Sequence, residues 1–238
     1  MGTKSGTLYL LPTTISDSDW QETIPQYVRD KSVSLMHFVV EDVRTARRYL
    51  RRIGGKQNFD ECRFFILNKH TRPEEIPAFI APLLEGYDMG LLSESGVPCV
   101  ADPGNEVVKI ARGKGIRVVP MTGPSSILMS LMASGFNGQN FAFVGYLPID
   151  KSARGRYLKT LEERIFREDQ TQIFIEAPYR NQKLLDDLIQ RLSPEIRICV
   201  AREISGKNEL IKVHSVSEWR KRKKPDIQKQ NTIFLLYK

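Results

Sequence analysis

The sequence predicts an α/β protein made of two α/β domains. Three observations lead there. Short runs rich in β-branched, aromatic and leucine residues recur along the 238 residues; most are separated by one segment with apolar residues at helical spacing; and no internal repeat interrupts the alternation.

Taken in order, Leu-Tyr-Leu-Leu at 8–11 opens the chain as a strand, and Leu-Met-His-Phe-Val-Val at 35–40 is the second. Residues 43–52 follow as a helix with a strongly basic outer face, then a strand at 64–67 and a helix at 76–84. Strands at 89–92 and 116–119 flank a helix at 107–112. Gly113 and Gly115 lie before a strand, where they end a helix and do not form a dinucleotide fingerprint. The second half repeats the rhythm: helix 125–132, strand 141–144, helix 156–166, strand 172–175, helix 181–192, then strands 196–200 and 232–237. Such strand-helix-strand succession predicts a mostly parallel sheet. Nine strands in one sheet would be large for this length, so the chain divides, and Pro120-Met121-Thr122-Gly123 is the best break. The expected domains are residues 1–120 and 121–238.

A formal charge of +8 favours a polyanionic partner, with nucleic acid and anionic metabolites both fitting. The run Arg220-Lys221-Arg222-Lys223-Lys224 is a solvated loop or a phosphate-contacting patch. No apolar run approaches the roughly 20 residues needed to span a bilayer, and residues 1–7 lack the apolar core of a signal peptide, so a soluble, cytoplasmic protein with no membrane partner is expected. Cys62, Cys99 and Cys199 are scattered and read as small buried hydrophobes. His37, His70 and His214 show no metal-ligand spacing, so no metal site is expected. No P-loop and no paired serine or cysteine nucleophile signature is present, so P-loop nucleotidase chemistry is unsupported and covalent hydrolase chemistry has little to stand on.

Two loops at successive strand ends stand out. After the strand at 89–92 comes Ser93-Glu94-Ser95-Gly96-Val97-Pro98-Cys99-Val100-Ala101-Asp102-Pro103-Gly104, too rich in glycine, proline and small residues for regular helix. After the strand at 116–119 comes Thr122-Gly123-Pro124-Ser125-Ser126, leading into a helix whose first amides and serine hydroxyls could hold a polar ligand group. In open α/β sheets the ligand crevice lies beyond the carboxyl ends of the strands.

Read together with other segments, these loops resemble the tetrapyrrole methylase-like S-adenosylmethionine-dependent methyltransferase family, and within it the ribosomal RNA small subunit methyltransferase I branch. The segments run in order along nearly the whole chain: 7–15, Glu41-Asp42-Val43-Arg44-Thr45, 93–104, 123–126, 143–148, 176–180 and Ala201-Arg202-Glu203. The resemblance implies two α/β domains with the cofactor S-adenosyl-L-methionine in the cleft between them. It also implies a homodimer, and 2′-O-methylation of a ribose in small-subunit ribosomal RNA, whether naked or in the ribosomal particle. Carried onto matching positions, donor contacts would come from Thr13, Ile15, Ser95, Gly96, Val97, Pro98, Val100, Ser125, Ser126, Glu176 and Ala201.

The chain departs from the branch at Ser16 and Asp17, where the branch has Gly-Asn, and at Glu94, Ser95, Val97 and Ala101. An acid at position 17 should repel phosphate unless neutralised. The matched motifs place Glu41, Asp42, Glu94 and Asp102 near the cleft, and Glu41, Asp42 and Glu94 are the candidate catalytic carboxylates, since a ribose hydroxyl needs its proton removed. Asp102-Pro103-Gly104 also reads as a turn and helix start, and Glu41-Asp42 as a plain helix start. Arg44, Arg47, Arg48 and Arg51 share one helix face; Arg44, Arg47 and Arg48 are the candidate RNA contacts. Two other readings stay open: methylation of a small polycarboxylate such as a tetrapyrrole, and a non-catalytic RNA-binding protein that kept the fold.

Overall fold

The computed structural model describes residues 5–56, 58–59 and 61–238. The chain divides into two compact units, Met1–Ser125 and Ser126–Lys238.

In the first unit the order is β1 (Thr7–Leu11), α1 (Trp20–Thr23), α2 (Gln26–Ser34), β2 (His37–Val40), α3 (Val43–Arg52) and β3 (Arg63–Ile66). It continues with α4 (Ile76–Phe79), α5 (Ala81–Leu84), β4 (Met89–Leu92), α6 (Gly104–Gly113) and β5 (Arg117–Pro120). The strands form one sheet in the order β3-β2-β4-β1-β5, with every pairing parallel. All strands therefore present their carboxyl ends at one edge. Their side chains feed two clusters by strict alternation: Val39 and Leu91 pack with Val107 and Ala111 of α6, whereas Phe38, Val40 and Leu92 pack with Ala46 and Leu50 of α3. Burial on both faces is why these runs are continuously apolar. The helix expected over 76–84 is two short helices. Pro77 and Pro82 each remove an amide donor, and Ile80 between them has left helical geometry (ψ 4°).

In the second unit the order is α7 (Ser126–Ser134), β6 (Phe141–Tyr146), α8 (Lys151–Glu168), β7 (Thr171–Ile175), α9 (Asn181–Arg191), β8 (Arg197–Arg202), β9 (Leu210–Ser215), α10 (Val216–Trp219) and β10 (Thr232–Tyr237). Here the expectation of a mostly parallel sheet needs correction. The order is β6-β7-β10-β8-β9, and only β6 with β7 is parallel; β7–β10, β10–β8 and β8–β9 are antiparallel. Two features account for it: the link between β8 and β9 is too short for a crossover, which takes a dozen or more residues, and the last strand, β10, inserts antiparallel between β7 and β8. β9 itself was not expected from the sequence, because its Leu-Ile-Lys-Val-His-Ser is only half-buried and weakly patterned. Around this sheet Phe174, Phe234, Leu188 and Trp219 build one core, and Ile173, Cys199 and Leu235 another. The Trp219 indole N–H donates to the carbonyl of Ile198 at 3.1 Å, so its burial leaves no donor unpaired.

Among the described residues no helix is long and apolar enough to cross a membrane.

Candidate active site

The chain leaves β2 toward β3 at one edge of the first sheet and leaves β4 toward β5 at the other. Connections that diverge in this way open a crevice at the carboxyl ends, the usual place for a ligand in a parallel sheet. A pocket lies there, lined by Thr13 and Thr14 beyond β1, Val40 at the end of β2, Leu92, Ser93 and Glu94 at the end of β4, and Thr45, Arg48, Tyr49 and Arg52 of α3.

Its walls are fixed by hydrogen bonds between loops. The Thr13 amide donates to the Gly96 carbonyl at 3.0 Å, and the Ser93 hydroxyl donates to the same carbonyl at 2.5 Å. The Ser95 hydroxyl donates to the Ile15 carbonyl at 3.2 Å. Gly96 sits at φ +73°, and a Cβ there would lie 3.0 Å from the Pro124 carbonyl oxygen. Only glycine combines that backbone with so close an approach. Cys99 (φ 67°) and Ala101 (φ 62°) are left-handed without being glycine. Asp102 accounts for this local strain: its two carboxylate oxygens accept from the Cys99 and Gly104 amides, each at 2.8 Å, and hold the turn closed.

The four carboxylates play different parts. Asp42 caps α3, accepting from the Thr45 amide at 2.7 Å and the Thr45 hydroxyl at 2.9 Å; these bonds hold its carboxyl below the ordinary value. Asp102 is tied to backbone amides, although burial still pushes it up. Glu41 is raised by burial and by the nearby charges of Asp102 and Glu94. Glu94 is raised by burial and by Asp42, and it faces the pocket.

On α3 the structure separates the arginines that the sequence groups together. Arg48 and Arg52 line the pocket with Thr45 and Tyr49, a spacing of i, i+3, i+4 and i+7 that puts all four on one face. Arg47 instead donates to the Phe59 carbonyl at 3.2 Å and lies over the Phe64 ring. Arg51 lies over Phe59, and Arg44 is exposed. Arg52 also bonds the Ser18 carbonyl and reaches Asp17 at 4.0 Å, so the acid at position 17 has a cation at its side. Sequence reasoning missed Thr14, Thr45, Tyr49, Arg52 and Ser93. The α3 residues were findable from helical spacing read from the pocket side of the Glu41-Asp42 segment, where the basic face drew attention instead.

The remaining positions fall elsewhere. Val97 and Pro98 lie within the β4 loop, and Val100 is exposed on it. Ser125 ends the first unit and Ser126 opens α7. In the second unit Glu176 is buried and paired to Arg180 at 2.6 Å. Ala201 lies inside β8, bordered by β10 and β9, with its side chain in the core.

A profile of the Tetrapyrrole (Corrin/Porphyrin) Methylases matches residues 18–219. The ribosomal RNA small subunit methyltransferase I of Pseudomonas aeruginosa is 33% identical over 215 residues, covering 90% of this chain and 72% of that protein. Its namesake from Escherichia coli O157:H7 is 30% identical over 213 residues, covering 90% and 70%. Among solved structures, the methyltransferase CobJ superposes with a TM-score of 0.62 at 14% identity over 98% of this chain and 94% of its own. A uroporphyrin III C-methyltransferase from Thermus thermophilus gives 0.57 at 16% identity over 98% of each. At such identities the structures speak for the fold alone, whereas the profile and the sequence relatives speak for descent. The chain therefore belongs to the tetrapyrrole (corrin/porphyrin) methylase family.

Proposed function

We propose that this chain is an S-adenosyl-L-methionine-dependent methyltransferase that 2′-O-methylates a ribose of small-subunit ribosomal RNA. The observation that carries the reading is the pocket beside β4, whose lining brings together one raised carboxylate, Glu94, and two arginines, Arg48 and Arg52. Similarity along 90% of the chain to proteins named for ribosomal RNA methylation supports the substrate.

The loops suit the donor by their chemistry. Hydroxyls of Thr13 and Ser93 and the close-packed backbone around Gly96 match a ligand with ammonium, carboxylate and ribose groups. Thr13, Ile15, Ser95, Gly96, Val97, Pro98, Val100 and Ser125 would hold it, whereas Glu176, its carboxylate taken by Arg180 and the Ala177 amide, and Ala201, its side chain in the core, are left out of the donor set that the family resemblance implies. When bound, it supplies a methyl group on a sulfonium, open to attack by an oxygen in line with the leaving sulfur.

This chain's own residues then have two tasks. One is to hold the ribose hydroxyl at near-attack distance. Arg48, exposed on α3, does so by engaging a neighbouring phosphate, charge-assisted and, for arginine, bidentate, while Arg52, bonded to the Ser18 carbonyl and beside Asp17, adds positive charge to the same wall. The other is to take the hydroxyl proton. Glu94 accepts it at a carboxylate oxygen, and a carboxyl raised by burial and by Asp42 is a stronger base than one in water. Asp42 and Asp102 are occupied by backbone amides and keep structural roles.

Ribose-methylation maps of small-subunit ribosomal RNA from cells with and without this gene test the reading. One methylated position should vanish with the gene; identical maps would defeat the assignment. Calorimetry with S-adenosylmethionine should show binding, and none at millimolar donor would leave an RNA-binding protein that kept the fold.

A further inference from the structure

We infer that a second pocket, inside the unit Ser126–Lys238, takes backbone phosphates of the RNA substrate; the inference rests on the RNA-methylating reading above. The pocket is lined by Lys151, Arg154, Glu176, Arg180 and Lys183, with Leu184 beside them. Its four cations divide into braces and free charges. Arg154 is buried and committed, donating to Asp187 at 2.6 Å and to the carbonyls of Pro148 and Ile149. Arg180 is paired with Glu176 at 2.6 Å, and Glu176 also accepts from the Ala177 amide at 2.7 Å, so this guanidinium is held against one wall.

Lys151 and Lys183 remain. Both are exposed, and neither makes an ion pair among the described residues. They stand on α8 and α9, two separate helices that meet at this pocket. Two unpaired ammonium groups converging on a concavity attract anions.

The surroundings favour an RNA strand over a small free anion. Tyr179 is 61% exposed, with the Arg180 guanidinium 5.0 Å from its ring centroid, and Tyr146, close enough to influence Arg180, is 57% exposed. Cations interleaved with exposed aromatic rings suit phosphates flanked by bases, which stack on such rings. In the run Arg220–Lys224, the most basic stretch in the sequence, Lys221 and Lys223 are exposed but the other three cations are engaged. Arg220 donates to the carbonyls of Ile189 and Leu192, Arg222 lies 3.9 Å from Glu218, and Lys224 is paired with Asp186.

The test is binding of the full-length protein to a small-subunit ribosomal RNA transcript across a salt titration, for wild type and for the Lys151→Gln/Lys183→Gln double variant. Both side chains are exposed, and circular dichroism checks that the fold survives. Loss of two phosphate contacts should make the slope of log K against log salt shallower by about 1.4 for a single strand. Affinity for S-adenosylmethionine should not change. An unchanged slope, with the wild type still methylating ribosomal RNA, would remove this pocket from the footprint and leave the functional reading intact. Wild-type protein that neither binds nor methylates the RNA would sink the functional reading, and the pocket with it. Inorganic phosphate that protects Lys151 and Lys183 from acylation while the RNA slope stays unchanged would mark the pocket as a small-anion site and overturn the proposal.

Discussion

The hydroxyl of Tyr49 on α3 donates to the carbonyl of Pro12 in the β1 loop at 2.9 Å, inside the protein. The bond ties the helix carrying Arg48 and Arg52 to the loop carrying Thr13 and Thr14. Burial pushes the Tyr49 phenol well above its ordinary range, so it stays a donor at every working pH. Tyr49→Phe leaves a buried carbonyl without its partner, a loss of about 1–3 kcal/mol, which should lower Tm by several degrees. Because the tie positions Thr13, affinity for S-adenosylmethionine should also weaken several-fold. A lower Tm with unaltered affinity in calorimetry would confine the hydroxyl to a folding role.

Glu94→Gln tests the proton acceptor. General-base contributions are typically 10²–10⁴-fold, so kcat should fall by about 10² or more while donor affinity holds. Burial and Asp42 raise the Glu94 carboxyl above its ordinary 4.5. The wild-type rate should therefore decline on the acid side, beginning above the usual glutamate range, and that limb should be lost in the variant. A variant whose pH profile keeps the wild-type shape would remove Glu94 from proton transfer.

The first sheet was readable from sequence because its strands are buried on both faces, and runs such as Met89-Gly90-Leu91-Leu92 carry a strong apolar signal. The helix Val43–Arg52 was readable to the residue, since Asp42 supplies a capping side chain and Ala46, Tyr49 and Leu50 a buried stripe. β9 was hidden because Lys212 and His214 break the apolar pattern, and its place is set by pairing with β8, which is not local information. The same holds for the site. Glycines and prolines marked the loop at 93–104, yet which arginines face the pocket depends on how α3 is rotated against Phe59 and Phe64.

Asp187 lies between Arg154 and Arg191, 2.6 Å from each. Burial pushes its carboxyl up, but the bonds to Arg191 and Arg154 outweigh burial and hold it below the ordinary 3.8. Asp187→Asn leaves the buried Arg154 guanidinium uncompensated, for which about 3 kcal/mol of destabilisation is typical. A carboxyl lowered in the folded state contributes stability that is present above its unfolded pKa and lost as pH falls through its folded one. Denaturant titrations should thus show a large gap between wild type and variant at pH 7 and a shrinking gap below the ordinary aspartate range. A gap of the same size at acid pH would show that packing, not charge, sets the loss.

Glu41 carries the opposite sign. It is raised by burial first, then by Asp102 and Glu94. A raised carboxyl favours the folded state fully only below its unfolded pKa, and that contribution is lost as pH rises through the folded pKa. At neutral pH the ionised Glu41 therefore costs stability, because it stands half-buried among other acids. Glu41→Gln keeps the shape and removes the charge, so Tm should rise by about 1–3 °C at pH 7–8. Below the ordinary glutamate value of 4.5 the two proteins should melt together, since Glu41 is then neutral in both states. The pH dependence of the difference is the decisive measurement: a gain that persists unchanged into acid would place its origin in packing, and a loss at pH 7 would show that Glu41 has a cationic partner in the working protein.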